Sequence, residues 1–193
     1  MKKFRRFCFG GRQRRYDMSR KKGGTVKTLG AAILAASSAV GKKEKEGPLG
    51  DLFDFSDPTD RFGQKTWERS ESEMQRIVFS GAAGKLGIGE EDIDAVFAGD
   101  LLNQCVGSAY GLLQFDIPYF GLYGACSTCA EGLTLAAMTV SAGLYRRAAS
   151  VTSSHNASAE RQYRNPLEYG GQRPPTAQWT VTGAGAFIVG KAC

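Results

Sequence analysis

The sequence has 193 residues, 42% hydrophobic and 23% charged, with a formal net charge of +6. That length allows one ordinary domain with a sizeable core, and the balance of apolar and charged residues argues against intrinsic disorder. The charge does not mark a nucleic-acid surface, because residues 1–17 hold seven basic side chains (Lys2, Lys3, Arg5, Arg6, Arg12, Arg14, Arg15) against one acid, Asp17, and the rest of the chain is neutral.

Residues 1–23 therefore read as a basic, unstructured tail, and residues 24–193 as the folded unit. Met18 offers a second translation start, so the segment before it is either a disordered arm or upstream sequence. A lesser reading is attraction to an anionic membrane, helped by Phe4, Phe7 and Phe9. Leu29 to Val40 is the longest apolar run, twelve residues broken by Ser37 and Ser38, well short of the roughly 20 needed to span a bilayer. No apolar stretch follows the basic start as a secretory signal requires. Five cysteines (Cys8, Cys105, Cys126, Cys129, Cys193) are too sparse, and odd in number, for a disulfide framework, which favours a reducing interior.

Ala31 to Val40 reads as a buried strand leading into a charged, glycine-bounded loop from Gly41 to Pro48. Asp51 to Gly63 is acidic, aromatic and loop-like, with a turn signal at Asp57-Pro58. Between Thr66 and Lys85, the positions Trp67, Met74, Ile77, Val78 and Gly81 fall on one face of a helix. Ala95 to Ala98 is a short buried strand ending at Gly99-Asp100, residues 104–115 suit a helix, and Tyr119 to Tyr123 suits a second core strand. Residues 127–144 form a helix of small side chains. Ala148 to Thr152 is another strand, and Trp179 to Val189 supplies one or two more. Strands alternating with helices predict an α/β fold with a mostly parallel sheet covered by helices.

In such sheets ligands bind beyond the carboxyl ends of strands. Three segments lie there: Gly99-Asp100-Leu101-Leu102-Asn103-Gln104, Gly124-Ala125-Cys126-Ser127-Thr128 and Ser153-Ser154-His155-Asn156. Cys126 opens a helix, where unpaired N–H groups favour a thiolate or a bound anion. It reads as a structural thiol, a nucleophile, half of a redox pair with Cys129, or a zinc ligand. A nucleophile needs a base, and His155 is the single histidine; zinc needs four ligands, and no second cysteine or histidine pair is present. His155 sits among hydroxyls and amides and serves either the fold or a ligand. Asp100 is either a helix cap or a site carboxylate. Arg161, Arg164 and Arg173 could fork onto a carboxylate ligand or form surface ion pairs.

The segment Gly124-Ala125-Cys126-Ser127-Thr128, opening a helix and followed by a strand, resembles the nucleophile segment of the thiolase and ketoacyl-synthase superfamily. Residues 40–50, 98–104, 152–156 with 159–162, and 168–172 with 180–183 resemble one branch of it, the stage V sporulation protein AD (SpoVAD) family. The resemblance implies the first half of a two-half thiolase-like fold in a non-catalytic role. Its implied ligand is dipicolinic acid (pyridine-2,6-dicarboxylate) or its calcium chelate, moved into or out of the bacterial spore core with the SpoVA membrane proteins at the inner membrane. No cofactor is implied, and calcium enters only with the ligand. The residues expected at the ligand by position are Asp100, Asn103, Cys126, Ser127, Ser153, Ser154, His155, Asn156 and Arg161, with acyl transfer through Cys126 as the alternative and an inert fragment as a third reading. Family members are about twice this length, so the expected partner is a second half or a second copy of the chain, covering an otherwise exposed sheet face and core helix.

Overall fold

The computed structural model describes residues 28, 30–163 and 180–192. The basic tail, Arg164, Arg173, the 168–172 motif, Cys8 and Cys193 lie outside them. Strand β1 spans Ala31–Val40, α1 Lys42–Lys45, β2 Phe55–Ser56, α2 Trp67–Leu86, β3 Ala95–Gly99 and α3 Val106–Leu112. Strand β4 spans Tyr119–Gly121, α4 Thr128–Ser141, β5 Arg147–Ser154, α5 Asn156–Tyr163 and β6 Gly183–Lys191.

The six strands form one sheet in the order β2-β1-β6-β5-β3-β4. Pairings β1–β2, β3–β4 and β3–β5 are parallel, whereas β6 runs antiparallel to both β1 and β5. The sheet is thus mixed, with its antiparallel strand in the interior. All of β1, β5, β3 and β4 still point their carboxyl ends to one edge, so the three expected segments emerge side by side.

Side-chain alternation along each strand divides the core between two faces. On one face, Met74, Val78, Phe79 and Ala82 of α2 pack against Ala39, Ala98, Val151 and Ile188. On the other, Ala136 and Val140 of α4 pack with Phe97, Leu122, Ala148 and Val189. Thr66 caps α2, its hydroxyl accepting from the Arg69 N–H at 3.3 Å, so the helix starts where the apolar stripe does. The small residues of α4 let it sit close to the sheet: a Cβ at Gly132 would lie 2.4 Å from Ser150 Oγ. Only the stripe Thr128, Gly132, Ala136 and Val140 is fully buried, and Ala130, Thr134 and Met138 on the outer side are exposed.

Four local readings change. Residues 104–115 are not one helix, because Gln104 and Cys105 adopt positive φ (57° and 53°) and break the run before α3. Tyr119 to Tyr123 shortens to a three-residue, partly exposed edge strand. The loop after Gly41 contains the single turn α1, and the acidic loop contributes β2, hydrogen-bonded beside the end of β1. Among the described residues, no helix is long and apolar enough to cross a membrane.

Candidate functional site

The Gly124–Thr128 turn leaves β4 and enters α4 through one turn of 3-10 helix. Ala125 takes a φ of 47°, a conformation that costs a non-glycine residue about 1 kcal/mol or more and is concentrated at functional positions. This turn presses against the end of β3. A Cβ on Gly99 would fall 2.4 Å from the Leu122 carbonyl oxygen and 2.7 Å from Thr128 Cγ2, so only glycine lets the two segments meet. Cys126 is exposed and is a free thiol, which sets aside its reading as a buried structural cysteine. Ser127, also exposed, donates its hydroxyl to the Gly124 carbonyl at 2.8 Å.

Asp100 resolves its ambiguity toward capping. One carboxylate oxygen accepts from the Leu102 N–H at 2.7 Å, and the other from the N–H and hydroxyl of Ser108 at 2.6 and 2.7 Å. The Ser108 hydroxyl also meets Tyr119 Oη at 2.9 Å. Burial is the main reason the Tyr119 phenol is pushed up to about 12. Asn103 stays exposed, its backbone N–H donating to Gln162 Oε1 at 3.0 Å and so tying α5 to this loop.

His155 is 1% exposed, and both ring nitrogens serve the backbone. Nε2–H donates to the Asp60 carbonyl at 2.8 Å, and Nδ1 accepts from the Ala157 N–H at 3.2 Å. These contacts fix the tautomer. Burial lowers the imidazole below its usual range, which keeps the ring neutral. Its face packs on Trp67, with centroids 5.0 Å apart, and Arg61 covers the other ring at 3.8 Å. His155, expected against a ligand, thus pins the 57–62 loop to the end of β5.

The remaining expected residues are also held internally. Ser154 donates to the Val181 carbonyl at 2.6 Å, and the Asn156 amide to the Thr180 carbonyl at 3.0 Å. Arg161 forms an ion pair with Glu68 of α2. Ser153 donates to Glu71 Oε1 at 2.9 Å and receives from Gln75 Nε2 at 2.8 Å. Of the nine positions, Asn103, Cys126 and Ser127 face solvent without a side-chain tie to another segment, and the other six brace the strand-end loops around them.

Glu71 and Gln75 were not foreseen. Both are fully buried on α2, and they follow Trp67 at the spacing of the stripe, which is the one signal the sequence offers. Burial first, and then the Asp100 charge, push the Glu71 carboxyl up to about 7, against the opposing pull of the Ser153 and Ser158 hydroxyls and the Leu101 N–H. A separate cleft of about 560 Å³ lies between α2 and α3, lined by Arg69, Arg76, Glu73 and Tyr110 among others, with no residue of the Cys126 turn in its wall. In it Arg76 forks onto Glu73.

Comparison with known proteins is consistent with this architecture. Solved structures of similar fold include 3-oxoacyl-(acyl carrier protein) synthase III, FabH, from Xanthomonas oryzae pv. oryzae, at 16% identity and a TM-score of 0.55 over 85% of this chain and 57% of that one. The corresponding synthase from Aquifex aeolicus VF5 has 14% identity and a TM-score of 0.55 over 84% and 54%. An OleA variant from Xanthomonas campestris has 14% identity and a TM-score of 0.55 over 85% and 57%. At these identities the likeness establishes a thiolase-like fold and nothing of the chemistry. In sequence, the chain is 45% identical over 159 residues to stage V sporulation protein AD of Bacillus subtilis (strain 168), covering 82% of this chain and 47% of that protein. It therefore spans about half the length of the curated relative. The family profile described as stage V sporulation protein AD (SpoVAD) matches residues 25–193, and the chain belongs to that family of sporulation proteins.

Proposed function

We propose that this chain is a non-catalytic binding module for dipicolinic acid, free or as its calcium chelate, which takes part in moving that ligand into or out of the bacterial spore core. The observation that carries the reading is the pairing of an exposed helix-entry turn, Cys126-Ser127, with a histidine fully spent on backbone groups. The helix N-terminus and the exposed Asn103 suit a small anion. The thiol lacks a histidine partner among the described residues, which favours binding over acyl transfer. The wider assembly belongs to the same proposal: the SpoVA membrane proteins at the inner membrane, and a second half or second copy packed on the outer face of α4.

Isothermal calorimetry with pyridine-2,6-dicarboxylate, with and without calcium, tests it on the chain alone and mixed with the second half of a family member. Binding heat abolished by Ser127→Ala combined with Asn103→Ala supports the reading. No heat in the folded mixture refutes it. The strained Ala125 favours a second reading, in which Cys126 accepts an acyl group from a thioester. Mass spectrometry after incubation with an acyl-CoA decides it, since an adduct on Cys126 that disappears in Cys126→Ala is required.

A further inference from the structure

The segment Cys126-Ser127-Thr128-Cys129 carries a second thiol that the binding role leaves unused. Cys126 lies in the 3-10 turn Ala125–Ser127, and Cys129 in the first turn of α4. The two residues between them have helical backbone angles, Ser127 with φ −89° and ψ −8°, Thr128 with φ −53° and ψ −40°. Helix geometry then sets the separation of the pair. Three residues along, two Cα atoms are about 5 Å apart in an α-helix and about 6 Å apart in a 3-10 helix. Both values fall inside the roughly 4.4–6.8 Å that a disulfide spans. Side chains at this spacing share a helix face with their Cβ atoms about 5–6 Å apart, so a bond requires them to close to about 3.5–4.5 Å. Ala125, Cys126 and Ser127 are all exposed, and no packed side chain opposes that movement. Thr128, 3% exposed, anchors the helix on the other side.

The thiols differ in access. Cys126 is exposed, Cys129 is half-buried, and Cys105 is closed off and donates to the Leu122 carbonyl. Among the described residues, no group of histidine, cysteine and acidic side chains is arranged to hold a metal, which leaves thiol exchange as the chemistry open to the pair. We propose that Cys126 and Cys129 form a reversible disulfide by exchange with a low-molecular-weight disulfide, a switch that withdraws the Cys126 thiol from the strand-end turn. The Cys126 thiolate attacks one sulfur of the oxidant, forming a mixed disulfide and releasing one thiol. The Cys129 thiolate then attacks the Cys126 sulfur, closing the intramolecular bond and releasing the second thiol. The protein gives up two electrons and two protons, and the oxidant takes them up as it is reduced to two thiols. The switch stands whichever ligand the reduced turn takes, because it rests on the two thiols alone.

Treating the reduced full chain with oxidised glutathione, and mapping it by mass spectrometry after digestion without reductant, tests this. The peptide that holds Cys126 and Cys129 should lose two hydrogens while Cys105 stays unmodified. Alkylation of Cys126 by iodoacetamide should be lost on oxidation and regained with dithiothreitol. Cys129→Ser and Cys129→Ala, each checked for folding by circular dichroism, should stop at a glutathione adduct on Cys126, because the second thiol that resolves it is missing. A lasting glutathione adduct on Cys126 of the wild type, or a bond from Cys126 to any cysteine other than Cys129, overturns the proposal. So does a wild-type chain whose Cys126 and Cys129 both stay free in excess oxidised glutathione. These wild-type outcomes decide the matter even where neither variant folds.

Discussion

Replacing Glu71 by glutamine should reshape the pH dependence of folding stability. In the unfolded chain this carboxyl titrates at its ordinary value of 4.5, and in the fold at about 7. The folded state thus holds the proton more tightly. The stability contributed by neutral Glu71 is complete below about pH 4.5, declines as pH rises from there to about 7, and levels off above that about 3 kcal/mol lower. Glutamine keeps the shape and a donor for Ser158 but has no proton to lose, so the variant lacks this decline. Urea unfolding followed by circular dichroism at about pH 5, 6, 7 and 8 measures it. The stability of Glu71→Gln relative to wild type should rise between about pH 5 and 7 and flatten by about pH 8, by about 2.5 kcal/mol over the series, with the unfolding slope unchanged. Other titrating groups are common to both proteins and cancel in the difference. A difference that does not vary with pH would show that Glu71 titrates normally and would refute the account of its burial.

Three further outcomes follow from the geometry. Gly99→Ala places a methyl group against the Leu122 carbonyl and Thr128, so it should cost about 1–3 kcal/mol in urea unfolding and alter the rate at which Cys126 is alkylated. Phe79→Ala removes a fully buried ring that lies tilted against Phe115, centroids 4.7 Å apart, and should cost about 3–5 kcal/mol in the same assay. In the native protein a thiol reagent should modify exposed Cys126 well before Cys105, which is 2% exposed and donates to the Leu122 carbonyl; peptide mapping by mass spectrometry would show the order.

The elements that sequence reading places well are those with local causes. The apolar, small-residue run of β1 and the Thr66-capped stripe of α2 each carry their own signal, and so does the Gly124–Thr128 turn. What escapes such reading depends on distant partners. Glu71 and Gln75 fall on the stripe face of α2, but nothing local explains a buried acid and amide there until Ser153, 82 residues beyond Glu71, supplies the hydroxyl that joins them. His155 looks free for a ligand until Asp60, 95 residues away, takes its Nε2–H. The break at Gln104-Cys105 has no glycine to announce it, and the direction of β6 is set by pairing with two strands rather than by its own composition. The three expected segments therefore emerge at one edge of the sheet, and six of the nine expected residues have side chains bonded within the fold.

The position of β6 has a consequence for how the chain reaches its fold. Among the described residues this strand comes last in sequence yet lies between β1 and β5, pairing with β1 along its whole length from Ala31 with Lys191 to Val40 with Gly183. Until it inserts, β1 and β2 share no backbone ladder with β5, β3 and β4. A nascent chain synthesised through α5 thus holds two separate pieces of sheet and an apolar α2 face that only the late strand can complete. Such long-range closure slows folding and prolongs exposure of unpaired edges. Residues 183–191 act as a clasp, and the interval before they engage is when the chain is most open to proteolysis or capture by a chaperone.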